Sequence, residues 1–236
     1  MYHDLQVCQI EGQKMGCDSF YSRYLLESFQ LWFDVWAETF LSLESRTSLR
    51  SDDFTRQDEI LGIWHKKQCI ALVCHRFVNL QYSYNQMDSY FQSWPPHCLD
   101  ELKKRGNHLA IGSQITIHPA FRKTGTLQIN PNMNIKNLIS YLSLYSLSKN
   151  RAIDLICGTM RSDKGMNQLF YKSGAKPIAT NIIYHNVPVD LVVFEPRLED
   201  GIIIPSEYLP LVTDLWRNRI VAFPVSTFQK ENNLVA

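Results

Sequence analysis

Residues 69–78 read Cys-Ile-Ala-Leu-Val-Cys-His-Arg-Phe-Val, a near-continuous apolar run. A strand that is apolar on both faces belongs in a sheet covered on both sides, because neither face can be left to water. Just before it, Glu59 to Trp64 reads as a second strand, and the polar stretch His65-Lys66-Lys67-Gln68 reads as the tight turn that joins them. A buried hairpin near the middle of the chain therefore sets the architecture, and the remaining elements have to supply its covers.

One cover is legible upstream. Tyr21, Leu25, Phe29, Trp32, Trp36, Phe40 and Leu43 recur every three or four residues, so they share one face of a helix over 20–43. Arg23, Glu27, Gln30, Asp34 and Glu38 occupy the opposite face. Further along, His97 to Arg105 reads as a short helix before Gly106, and Leu109 to Pro119 as a strand. A helix is expected over 134–149, with Ile135, Leu138, Ile139, Leu142 and Tyr145 as its stripe. Ile153 to Cys157 reads as a strand and Met166 to Ser173 as a short helix, with Gly174 at the left-handed position past its end. Ile178–Tyr184 and Val189–Glu195 form a hairpin, and one more amphipathic segment spans Ser206 to Arg219. One domain is expected over 1–197, with 198–236 as an extension packed on it.

Composition narrows the function classes. A net charge of +1 with 20% charged residues gives no reason to expect nucleic acid or an anionic membrane as partner. The six cysteines, at 8, 17, 69, 74, 98 and 157, include no C-x-x-C pair, so no metal is expected. Neither a secretory signal nor an apolar stretch of about 18 residues is visible, which makes a reducing, cytoplasmic setting the expectation and a transmembrane segment unexpected.

Two segments carry chemistry. The first is Ile117-His118-Pro119-Ala120-Phe121-Arg122-Lys123-Thr124-Gly125, a strand end running into a basic, glycine-containing loop before a helix. Backbone N–H groups at a helix start, together with Arg or Lys, bind phosphate, and glycine lets the backbone come close. The second is Asn167-Gln168-Leu169-Phe170-Tyr171-Lys172-Ser173-Gly174-Ala175. Both segments, and the element order from 20 to 195, resemble the GNAT acyltransferase superfamily. The resemblance implies an α/β (α+β) fold with a mixed, mostly antiparallel sheet flanked by helices and a splayed central strand pair. It implies a phosphopantetheine thioester donor, acyl-CoA or acyl carrier protein, and an amine acceptor on a small molecule or amino acid. Ile115, Thr116 and Ile117 are then expected beside the pantetheine arm, Arg122, Lys123, Thr124 and Gly125 at the phosphates, Asn167 on the arm, and Tyr171 as the acid that protonates the leaving thiolate.

The sequence departs from that pattern in two ways. Leu127 stands where the family has a second glycine, and the strand carries Gln114, Thr116 and His118 with no carboxylate. His118 is the candidate base, with Glu59 and His185 as more distant ones. The aromatic richness of the first helix and of 81–94 resembles the synthases of N-acyl amino acids and acyl-homoserine lactones. A copy that keeps the fold and has lost the chemistry, serving as a binding module, is the alternative.

Overall fold

A computed structural model of the chain describes residues 4–12, 19–44, 49–122 and 133–222. Among the described residues, fifteen elements besides one short 3-10 turn follow in order: β1 (Leu5–Glu11), α1 (Ser19–Glu44), α2 (Asp52–Thr55), β2 (Glu59–His65), β3 (Gln68–Asn79), α3 (Ser83–Gln86), α4 (Pro96–Arg105), β4 (His108–Ile117), α5 (Ile135–Lys149), β5 (Leu155–Arg161), α6 (Met166–Lys172), β6 (Lys176–Tyr184), β7 (Val187–Phe194), α7 (Leu209–Arg217) and β8 (Ile220–Ala222). The eight strands form one sheet in the order β6-β7-β5-β4-β3-β2-β1-β8, with β4–β5 and β1–β8 parallel and the other pairs antiparallel. This is the mixed, mostly antiparallel sheet that the resemblance implies.

Both faces of the apolar β3 run are covered. On one face Tyr21, Tyr24, Leu31, Trp32 and Val35 of α1 pack on Cys8, Ile10, Ile60, Trp64, Leu72 and Cys74. On the other, Ile135, Leu138, Ile139 and Leu142 of α5 meet Leu61, Ile63, Ile70, Ala71 and Val73, with α7 adding Leu211, Val212 and Leu215. Beyond 198, α7 packs on α5 and β8 pairs with β1. A buried polar relay also ties α5 to the sheet. Nδ1 of His75 bonds Glu59 at 2.8 Å, and Nε2 bonds the Ser143 hydroxyl at 2.8 Å. Burial pushes the Glu59 carboxyl up, but the bonds from His75 and Gln9 outweigh it and hold it below its ordinary value.

Two hairpins turn on two-residue loops without glycine. Lys66 and Lys67 lie at φ +48° and +71°, His185 and Asn186 at +49° and +59°. Positive φ at both loop residues matches the right-handed twist of the flanking strands. The second loop fixes His185 at the tip of β6–β7.

A tight loop after β7 depends on one glycine for a different reason. A Cβ at Gly201 would lie 1.8 Å from the carbonyl oxygen of Glu195. Gly201→Ala must therefore open this loop, and a loss of about 3 kcal/mol is expected in chemical denaturation. An unchanged midpoint would show that the loop takes up the extra methyl without cost.

Candidate active site

The parallel contact between β4 and β5 is brief. Leu109, Ala110 and Ile111 pair with Leu155, Ile156 and Cys157, and the pairing then stops. β4 continues against β3 as far as Ile117, while β5 continues against β7 as far as Arg161. The two central strands therefore part, and from Gly112 onward the β4 edge that faces β5 has no strand partner among the described residues. Glycine stands on both sides of the fork. A Cβ at Gly158 would come 3.2 Å from the Gly112 carbonyl oxygen and 2.3 Å from the Met160 methyl, whereas a Cβ at Gly112 would meet nothing within 4 Å.

Just past the fork β4 carries a bulge. Its register to β3 shifts between Leu72 and Cys74, and Gln114 takes φ +53°. The bulge turns Gln114 toward the same face as Thr116, which is the face α1 covers. Trp32 Nε1 donates to Gln114 Oε1 at 2.9 Å, and Trp36 Nε1 donates to Thr116 Oγ1 at 2.9 Å. The Thr116 hydroxyl in turn donates to the Gln114 carbonyl at 2.7 Å. Ile115 and Ile117 point the other way and pack toward α5. The backbone of Ile115, Thr116 and Ile117 thus borders the opening.

The aromatic stripe of α1 does not stay on the sheet. Its first half is buried on β1–β3, but Phe40 reaches the β6–β7 loop, with its ring 5.4 Å from that of His185. Asn186 Nδ2 donates to the Leu43 carbonyl at 3.0 Å. The helix therefore bridges the fork, anchored on β4 through two indoles and on β6–β7 at its C-terminal end. On the same face of β5, the Thr159 hydroxyl donates to the phenol of Tyr90 at 3.2 Å, and Trp94 Nε1 donates to that hydroxyl at 3.3 Å. Aromatic residues of α1 and of 81–94 thus bond polar side chains of the two strands that part, α1 on β4 and Tyr90 and Trp94 on β5.

The other predicted residues disperse. His118 lies at the outer end of β4, where Nδ1 accepts from the Ala120 amide at 3.2 Å and Nε2 lies 3.2 Å from the Gln68 side chain. It lines a groove of about 470 Å³ with Glu27, Asp34, Glu38 and Lys67, to which β5 and β7 contribute nothing. Arg122 donates from Nε to the Ile117 carbonyl at 3.2 Å. Lys123, Thr124, Gly125 and Leu127 lie outside the described residues. Glu59 is on β2, two strands from β4, and is bound by His75 and Gln9.

Tyr171 and Asn167 sit four residues apart on α6, so they share a face, and both reach Asp190 on β7. The Tyr171 hydroxyl and Asn167 Nδ2 each donate to Asp190 Oδ2 at 2.7 Å, while the Asn181 amide donates to Oδ1 at 2.9 Å. Asp190 lies opposite Met160 of β5, so Met160 stands between this cluster and the fork. Burial, the bond to Asp190 and its negative charge all push the phenol well above its ordinary value. Burial also raises the Asp190 carboxyl, but its three hydrogen bonds outweigh that and hold it low. Sequence reasoning missed Asp190 because nothing in the β7 run Val187–Phe194 marks it except one carboxylate in an apolar strand.

This is the GNAT fold. No family model matches the sequence, and no curated protein matches it; the likeness is to solved structures. FeeM, an N-acyl amino acid synthase from uncultured soil microbes, superposes with a TM-score of 0.54 at 10% identity, over 83% of this chain and 93% of its own. BjaI, a CoA-dependent acyl-homoserine lactone synthase solved with SAM and isopentyl-CoA, gives 0.53 at 14% identity and covers 93% of each chain. A mosquito arylalkylamine N-acetyltransferase, like 5b, gives 0.55 at 11% identity, over 80% of this chain and 99% of its own. On the sides away from the fork, β4 pairs with β3 apart from its bulge, and β5 pairs with β7 from Ile156 to Arg161.

Proposed function

We propose that this protein is an N-acyltransferase. It moves an acyl group from a phosphopantetheine thioester, on coenzyme A or acyl carrier protein, to the amine of a small molecule or amino acid. The observation that carries this reading is the fork, where the β4 edge runs past Ile111 without a strand partner and glycine stands on both sides. An amide-bearing arm can pair with the backbone of Ile115 to Ile117 as a strand would. FeeM and BjaI, whose folds this chain shares, are synthases of acylated amino compounds. The aromatic enclosure under α1 favours an apolar acyl group over acetate.

In this reading the amine attacks the thioester carbonyl directly, and a backbone N–H at the Gln114 bulge faces the developing oxyanion. Alignment of amine and thioester in the slot supplies much of the rate. His185, on the face roofed by α1, takes the proton from the amine, since Glu59 is locked two strands away and His118 faces a different groove. The sulfur leaves as a thiolate. An acid serving it should have a pKa near that of the thiol. The raised phenol of Tyr171 is poorly matched, so we assign Tyr171 to holding Asp190. Tyr171→Phe is then expected to lower stability by about 2 kcal/mol, one bond to a charged acceptor, in thermal or urea unfolding. Its turnover should fall far less than the roughly hundredfold expected for loss of a general acid. A hundredfold loss with unchanged stability would return Tyr171 to the acid role.

The decisive experiment incubates the protein with acyl-CoA or acyl carrier protein of varied chain length and a pool of amines, and follows thiol release. Release that depends on both donor and amine supports the transferase. Donor binding by calorimetry without release from any amine favours a binding module, the reading that the missing β4 carboxylate supports. Absence of donor binding sinks both.

A further inference from the structure

The Asp190 cluster has an electrostatic feature that the acyl-transfer reading does not use. Asp190 is 4% exposed, and all three of its partners are neutral: the Tyr171 phenol, the Asn167 amide and the Asn181 backbone N–H. No Lys or Arg among the described residues pairs with it. A buried carboxylate is usually paired with a cation, because three neutral hydrogen bonds offset desolvation without neutralising the charge. A carboxylate offers about four acceptor positions. Two donors share Oδ2 and one takes Oδ1, which leaves a position on Oδ1 open.

Asp190 also borders a hollow. Asp190 lies in a depression of about 500 Å³ whose wall is Tyr171, Ala175, Pro177, Thr180 and Asn181. The depression exists because β6 does not follow β7 regularly here. Its register shifts between Pro177 and Ala179 and again between Ala179 and Ile182, and Asn181 takes φ +56°. The bulged segment departs from regular pairing with β7 opposite Asp190, and the buried carboxylate lies at the bottom of an otherwise mainly apolar recess. No group of three His, Cys, Asp or Glu side chains among the described residues could hold a metal ion, so a divalent cation lacks ligands here. The chemistry present is one negative charge, a phenol ring and the short apolar surfaces of Ala175 and Pro177. It matches an N–H-bearing cation on a short carbon chain.

We propose that this hollow binds the primary ammonium group of a small alkylamine, with Asp190 as the counter-charge. The ammonium donates to the open position on Oδ1, and its carbon chain lies on Ala175 and Pro177. The site is separate from the fork and does not depend on the acyl-transfer reading.

The test titrates the full chain with n-butylammonium chloride, and in parallel with n-butanol, at constant ionic strength. The backbone amide of Asn181 is followed by NMR, because it bonds the same carboxylate. Butylammonium is expected to shift that resonance saturably, and butanol to leave it unmoved. Asp190→Asn removes the charge and should weaken the apparent affinity at least tenfold, although it also disturbs three hydrogen bonds. Thr180→Arg is the safer variant. Thr180 is exposed at the rim, so the substitution leaves the buried network intact and supplies a tethered cation that competes for the carboxylate. It should abolish the butylammonium response while unfolding normally. Equal responses to butylammonium and butanol, or an undiminished response in Thr180→Arg, would overturn the proposal.

Discussion

A Gly158→Val protein is expected to fold and to lose its thioester donor. Valine is a good strand residue, and β5 keeps its whole pairing with β7 through Arg161. The new side chain begins 2.3 Å from the Met160 methyl and 3.2 Å from the Gly112 carbonyl oxygen. Met160 can swing aside because its end is flexible. The Gly112 backbone has less freedom, since its strand is held to β3 at His75 and again at Thr116. The branched methyls therefore stay in the throat, where the arm must pass. Calorimetry with an acyl-CoA that the wild type binds should show at least a tenfold weaker affinity, about 1.4 kcal/mol. Thermal unfolding reports separately on the fold. Full donor affinity in a folded Gly158→Val protein would mean that the fork is not the donor's path.

His185→Gln is expected to reduce kcat/KM about hundredfold near neutral pH, as loss of a general base does. Glutamine keeps a polar side chain of similar reach and can occupy the loop, but it cannot accept the proton. The defect should shrink as pH rises, because the free amine fraction in solution grows and the reaction needs the base less. Donor affinity should be unchanged, since the residue sits at the tip of the β6–β7 hairpin and not on the β4 edge that takes the arm. That combination separates the base from the slot. A donor that binds normally with turnover unaffected in His185→Gln removes His185 from the chemistry and leaves the transferase reading standing.

Much of the fold could be read before the structure. The stripe on α1, the apolar run of β3 and the turn at Lys66-Lys67 are local patterns, and each names its element and its buried face. What escaped is non-local. β1 is seven residues and β8 three, and they are recognisable mainly through their pairing, Cys8 with Ile220 across the length of the chain. The site divides in the same way. The order of strands around the fork followed from the resemblance, and Gln114 and Thr116 do share a face, although a bulge rather than simple alternation puts them there. The destination of the Tyr171 hydroxyl did not follow, because spacing along α6 says that Asn167 and Tyr171 act together but not upon what. The partner is an aspartate 19 residues further on, set by how β7 lies under the helix. The sequence put His118 first as base and His185 only among more distant ones; the path of α1 across the sheet, with the Phe40 ring 5.4 Å from that of His185, is what draws attention to His185.

The parallel pairing of β8 with β1 also bears on how the chain is made. During synthesis the outer margin of β1 remains without its neighbour until more than two hundred further residues have been added, and so carries unpaired amides and carbonyls over that interval. Nascent chains stalled before Ile220 should therefore associate with one another along that margin, while the completed polypeptide, its rim closed by its own late-emerging segment, should not.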